Sequence, residues 1–293
     1  MFYFIEKSVL YNFADDNSLL NVASSKIDLI SNLQHDSEIC IKWYANNGMA
    51  ANPSKFQFMI SSTTDVGCVE IRIAKDIVIQ SEPFVKALGV YIDNRLTFSE
   101  HVNQCSKRAA RQLNALSRIS KYLSVDSKKH IFRSFIMSNF TYCSVVWHFC
   151  GLVNNSKLEK IQERALKIVF NEYDSNYDAL LDKMGTYTML QSRLRNIIIE
   201  VFKSLNDINP MYMKELFNVK KQPYSLRDTS LLIQARKNTT NFGLRSFVYL
   251  GSKLWNNLPG YLKDTTDIDV GEFKSRLKNY LGVNHESWET PVV

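Results

Sequence analysis

The sequence predicts an α+β chain built in two successive parts. Three observations carry this: strand-like runs with one helical stretch over residues 1–98, a change to helical period after Phe98, and a composition poor in chain breakers. Ten glycines and six prolines among 293 residues favour helices over a turn-rich β architecture. With 45% apolar and 22% charged residues, disorder and collagen-like repeats are excluded, and the length suffices for a sizeable core.

Each element has a local reason. Phe2 to Phe13 reads as a strand with an interruption, because Phe, Tyr, Val and Ile suit a pleated, half-buried surface. Ser25 to Asn46 reads as a helix, with Ile27, Ile30, Leu33, Ile41 and Tyr44 near one face and Gly48 as the stop. Lys55 to Ser61, Cys68 to Ala74, Ile77 to Gln80 and Phe84 to Ile92 follow as strands, with a hairpin turn at Ala74 to Asp76. From Ser99 to Leu123 the residues Val102, Cys105, Ala109, Leu113, Leu116, Ser120 and Leu123 mark an apolar helical stripe, capped by Ser99 or Thr97. At about 100° per residue, Lys107, Arg111, Arg118 and Lys121 fall together opposite that stripe as a basic ridge. Further helices are expected over Val125 to Asn139, Lys157 to Phe170, Leu190 to Asn206 and Gly271 to Leu281, with short pieces beyond Lys220. No fixed-period repeat is visible.

Several function classes drop out. The five cysteines show no C-x-x-C pair and no histidine at ligand spacing, which argues against a zinc knuckle or a disulfide framework and for a reducing compartment. The N-terminus lacks the basic and apolar regions of a secretory signal. The uncharged span Ser134 to Ser156 is too polar for a membrane helix and reads as a buried core helix. The chain is therefore expected inside the cell, in cytoplasm and nucleus, not secreted and not at a membrane. Phosphate-loop, dinucleotide, zincin and nucleophile-elbow motifs are missing.

Charge is unevenly divided. Residues 1–98 hold 8 Lys/Arg against 11 Asp/Glu, a net of −3, and residues 99–293 hold 28 against 18, a net of +10. A basic region of this size suits a polyanion, since each cation reaching a phosphate releases condensed counterions.

The most informative short sequence is Tyr11-Asn12-Phe13-Ala14-Asp15-Asp16-Asn17-Ser18, two adjacent carboxylates where an apolar strand reverses. Carboxylates held side by side repel unless a cation lies between them, so an exposed pair suits a hard divalent ion such as magnesium. Asp and Asn are also ordinary turn residues, the structural alternative. Phe13-Ala14-Asp15-Asp16 resembles the Y/F-x-D-D box of reverse transcriptases. In order after it, Trp43-Tyr44, Asn52-Pro53-Ser54-Lys55-Phe56-Gln57-Phe58-Met59 and Ala87 to Phe98 with His101 resemble the segments that follow in the non-LTR (LINE-type) retrotransposon branch. Tyr142, Trp147, Leu158 to Leu166, Phe242-Gly243, Ser246, Tyr249, Gly251 and Leu254 to Pro259 are similar to the C-terminal region of those elements.

The resemblance implies a partial palm over residues 1–98, antiparallel strands plus one helix, then a helical thumb-like region over 99–222 and a C-terminal region over 223–293. It implies an RNA-directed DNA polymerase working by two-metal nucleotidyl transfer on an RNA template, a DNA primer and dNTPs. Asp15 and Asp16 would hold Mg2+, and Lys55 would help protonate the departing pyrophosphate. Arg95, Lys107, Arg111, Arg118 and Lys121 would contact nucleic acid. Trp147 and Trp255 are candidates to stack on bases, against the alternative of core packing. A complete palm carries a further aspartate on an earlier strand, together with fingers. Neither is found among these residues, so the expectation is a remnant inactive by itself. The competing readings are a non-catalytic nucleic-acid-binding helical module and a helical protein-interaction scaffold.

Overall fold

The computed structural model describes residues 4–62, 67–220, 231–234, 243–264 and 268–283. The chain divides into two compact units, Met1–Glu100 and His101–Val293. Phe2, Tyr3 and Phe242, which figure in the expectations above, lie outside the described residues.

The first unit runs β1 (Val9–Phe13), β2 (Asp16–Leu20), α1 (Lys26–Asn46), β3 (Glu70–Ala74), β4 (Ile77–Gln80), β5 (Phe84–Ala87) and β6 (Val90–Asp93), the strands pairing as three antiparallel hairpins. The Ser25 hydroxyl caps α1 by accepting the Asp28 amide at 3.1 Å, and Gly48 at φ +71° ends it. Alternation in β3 turns Val69, Ile71 and Ile73 inward with Phe58, and Ile30 and Leu33 of α1 pack against them. Ile27, expected on that face, is 79% exposed. The strand expected from Phe2 begins only at Val9.

Two other strands differ from expectation. Lys55 to Ser61 contributes one bridge, Phe58 to Ser81, because Asn52 and Pro53 set a 3-10 turn over Pro53–Lys55, the Asn52 carboxamide oxygen accepting the Ser54 amide at 3.1 Å. Phe84 to Ile92 is a hairpin, not one strand. Leu88 and Gly89 take φ +45° and +85°, the left-handed pair that suits the twist of two-residue hairpins. Leu is no usual turn former, so the sequence hid this reversal.

The second unit is helical: α2 (Ser99–Ile119), α3 (Val125–Ile131), α4 (Ser138–Thr141), α5 (Ser144–Trp147), α6 (Gly151–Phe170), α7 (Tyr177–Met184), α8 (Met189–Leu205), α9 (Met211–Lys214), α10 (Phe247–Asn256), α11 (Gly260–Lys263) and α12 (Val270–Val283). A capping box of Thr188 and Gln191 starts α8, whose Ile197, Ile198, Val201 and Phe202 centre the core with Leu250, Leu254, Trp255, Phe273 and Leu277. The Phe202 and Phe273 rings stack at 4.1 Å. No helix among the described residues is long and apolar enough to cross a membrane.

Here too the sequence reading needs correction. Ser134 to Ser156 is not one helix, since Cys143 at φ +48° and Gly151 at φ +76° break it into α4, α5 and the start of α6. The latter begins six residues before the expected Lys157, as the Asn154 carboxamide folds back to donate to the Cys150 carbonyl at 2.7 Å. Unforeseen were α7, opened by the Asn176 cap and closed by Gly185 at φ +64°, and α10, whose Ser246 hydroxyl accepts the Tyr249 amide.

Candidate functional site

The β1–β2 hairpin pairs Val9 with Leu20, Tyr11 with Ser18, Asn12 with Asn17 and Phe13 with Asp16, leaving Ala14 and Asp15 as a two-residue turn. Ala14 takes φ +52°, a conformation costing an L-residue roughly 1–2 kcal/mol. Asp15 therefore sits in the turn and Asp16 opens the return strand, and both are exposed.

Polar contacts brace this tip. Asn12 donates through Nδ2 to Asn17 Oδ1 at 2.7 Å across the strands, and Asn17 Nδ2 donates to the Asp15 carbonyl at 3.4 Å and to the Tyr44 hydroxyl of α1. Burial pushes the Tyr44 phenol up, helped by the neighbouring Cys40, while the Asn17 bond pulls the other way. Tyr44 thus stays neutral.

One turn before β1, the backbone is held by Asp36, a fully buried carboxylate on α1. Its two oxygens accept the Glu6 and Lys7 amides at 3.5 and 3.2 Å, with His35 Nδ1 at 3.2 Å. Burial is the largest influence on Asp36 and raises its pKa. The hydrogen bonds from Ser8, His35, Glu6 and Lys7 together outweigh it, so the carboxyl lies below its ordinary value.

Lys55 ends the 3-10 turn that precedes Phe56 and is exposed. Exposed too is Arg95, in the loop after β6. There the Asp93 carboxylate accepts the amides of Arg95 at 3.2 Å and Thr97 at 3.0 Å, and the Thr97 hydroxyl at 3.1 Å. Asp93 thus shapes the Ala87 to Phe98 segment as an Asx-type knot.

In the second unit Lys107, Arg111 and Arg118 are exposed on α2. The helix ends at Ile119, four residues short of the expected Leu123, so Lys121 stands on a 3-10 turn, its ammonium 4.8 Å from the Tyr122 ring centroid. Tyr122 is 77% exposed, an aromatic beside the ridge that helical periodicity did not single out. Trp147 and Trp255 are each 1% exposed and belong to the core, which removes them as stacking platforms. Also missed were Lys157, Lys160 and Arg164, whose i, i+3, i+7 spacing on α6 was legible.

Among the described residues no group of three or more His, Cys, Asp or Glu side chains is placed to hold a metal ion. The donor set of the hairpin is two hard carboxylates, the kind that magnesium takes.

An exposed carboxylate pair on a braced hairpin, followed by a basic helical unit, is what this mixed α/β protein presents. Three polymerases of mobile elements from Drosophila melanogaster are similar to part of its sequence. They are the probable RNA-directed DNA polymerase from transposon X-element (28% identical over 165 residues, 53% of this chain and 17% of that protein), its counterpart from transposon BS (23% over 167 residues, 56% and 18%), and the RNA-directed DNA polymerase from mobile element jockey (21% over 210 residues, 69% and 22%). The chain is related to the reverse transcriptases of non-LTR retrotransposons. It spans about a fifth of the length of these relatives. No family model and no solved structure matches it.

Proposed function

We propose that this chain is the part of an RNA-directed DNA polymerase that carries the metal-binding hairpin and the nucleic-acid-holding helices. The observation that carries the reading is the placement of Asp15 and Asp16, adjacent and exposed at a two-residue reversal, in a chain related to such polymerases. In this reading residues 1–98 are a partial palm, 99–222 a thumb-like region and 223–293 the C-terminal region. The substrates are an RNA template, a DNA primer and dNTPs, met in cytoplasm and nucleus.

Asp15 and Asp16 would hold Mg2+, which when bound activates the attacking hydroxyl and neutralises the leaving pyrophosphate. The chain's own residues do the rest. Asn17 and Tyr44 keep the hairpin tip in place against α1. Lys55 supplies a proton to the departing pyrophosphate. Arg95, Lys107, Arg111, Arg118 and Lys121 attract phosphates without reading sequence.

Two carboxylates alone make a weak metal site, and the chain by itself is expected not to extend a primer. The test adds Mn2+ to the full chain and follows NMR line broadening at the amides of Ala14 to Asn17. Broadening that disappears in Asp15→Asn supports the assignment, and its absence in the wild type rejects it. Primer extension on poly(A) with oligo(dT) and Mg2+ checks the rest: robust synthesis abolished by Asp15→Asn would contradict inactivity while upholding the polymerase site.

The excess of +10 over residues 99–293 favours a second reading, a non-catalytic nucleic-acid-binding helical module. Oligonucleotide binding that weakens with salt and on reversing Lys107, Arg111, Arg118 and Lys121, with no metal effect at the hairpin, would select it.

A further inference from the structure

Beside the α2 ridge lies a groove that no motif marked. It encloses about 580 Å3 between α2 and α6, with Ala110, Leu113 and Val153 among its apolar lining and Lys157, Lys160 and Arg164 among its polar lining. The two helices are stitched along it by Lys157 Nζ to Asn103 Oδ1 at 2.6 Å and Arg164 Nη2 to Asn114 Oδ1 at 2.8 Å. Both partners are neutral amides, so the contacts orient the cations without cancelling their charge.

The carboxylates of α6 are engaged elsewhere. Glu159 accepts the Tyr177 hydroxyl at 2.7 Å and the Met189 and Leu190 amides at 3.0 and 2.9 Å, and Glu163 pairs with Lys167 at 2.8 Å. On α2, Lys107 shares the stripe of Asn103, Ala110 and Asn114, with Arg111 and Arg118 one row outward. Cations thus flank the groove on both helices.

We propose that this groove is a track for a single strand of nucleic acid, its phosphates on Lys157, Lys160 and Arg164 and its sugars along the aliphatic floor. The inference rests on the reading above that the α2 ridge meets nucleic acid, and adds a second rail and a strandedness. The floor between the cations is apolar, which suits the sugar and base surface that a single strand leaves uncovered; a duplex turns its charged phosphates outward and would leave that floor unmatched. The α6 cations span roughly 10 Å at 1.5 Å per residue, a reach of about two to three consecutive phosphates of one extended strand. None of the described lining residues is aromatic, so the track holds the strand by its backbone rather than by stacking on bases.

The experiment measures fluorescence anisotropy of a labelled 20-mer oligo(dT), and of its oligo(dA) duplex, with the full chain at 50–200 mM salt. Three lost single-strand contacts reduce the slope of log K against log salt by about 2 in Lys157→Gln/Lys160→Gln/Arg164→Gln. The wild type would then lose roughly 15-fold more affinity than the variant across that salt range. If the triple variant fails to fold by circular dichroism, Lys160→Gln serves, since Lys160 makes no hydrogen bond or ion pair among the described residues; its slope should fall by about 0.7.

An unchanged slope, or a loss confined to the duplex, overturns the track. So does a poly-Glu peptide that binds the wild type and not the variant while oligo(dT) binds both, which would make the groove a protein-docking surface. Loss of oligo(dT) binding on Lys107→Gln/Arg111→Gln/Arg118→Gln, with the α6 variant binding fully, rejects the track but leaves the proposed function standing. No binding by the wild type rejects both.

Discussion

Replacing Asp36 by Asn should loosen the approach to the β1–β2 hairpin, and by an amount that depends on pH. The Lys7 amide at 3.2 Å is a fair bond to a carboxylate and the Glu6 amide at 3.5 Å a marginal one. With bonds to a charged acceptor contributing roughly 1.5–3 kcal/mol, the pair together contributes about 2 kcal/mol. Asparagine keeps one acceptor and turns a donor toward the other amide but escapes the cost of burying a charge, so the net loss at pH 7 is below about 2 kcal/mol. The folded pKa of Asp36 lies below its unfolded value of about 3.9, so its contribution is full above about pH 4 and disappears as pH falls through the folded value. The gap between wild type and Asp36→Asn should therefore close in acid, whatever the other carboxylates do. Native-state hydrogen exchange of first-unit amides, read from pH 7 to pH 2.5, measures it. No difference at pH 7, or a difference that persists unchanged at pH 2.5, would refute the reasoning.

His148 is buried beside Arg193, and burial first, then that guanidinium, push its pKa down to about 3. Unfolding lets it take up a proton below about pH 6.5, so it lowers stability by roughly 1.4 kcal/mol per pH unit from there down to about 3; His148→Leu should remove that slope in urea unfolding curves. Gly251 of α10 faces α8, and a Cβ built there lies 2.8 Å from Val201 Cγ2 and 3.4 Å from Phe217 Cε1. Gly251→Ala gains up to about 1 kcal/mol of helix propensity but overpacks by about 1–3 kcal/mol, a net loss of about 1. A double-mutant cycle with Val201→Ala should show a favourable coupling, and simple additivity would count against the contact.

The helices were largely legible because their signals are local. Ser25 and Gly48 bound α1, and the 3.6-residue period of α2 shows in Val102, Cys105, Ala109, Leu113 and Leu116, all buried. The reversal at Ala14 and Asp15 was legible from two acidic residues interrupting an apolar run. Less so was the Leu88-Gly89 hairpin, since a Leu held at positive φ is tolerated only when paired strands impose it. The break at Cys143 escaped because a Cys gives no local sign of a residue held at positive φ between two helices.

By itself, then, the amino-acid order determined the two-part division of charge, the helix periods and the family relationship, all of which depend on residues near one another or on their succession. Tertiary structure decided which polar groups are available. It buried Trp147 and Trp255 that could have met bases, hid Asp36 as a clamp, and set Lys157, Lys160 and Arg164 along a groove. Burial and partnership depend on what packs opposite a side chain, and that partner comes from a distant stretch of chain which no local pattern names.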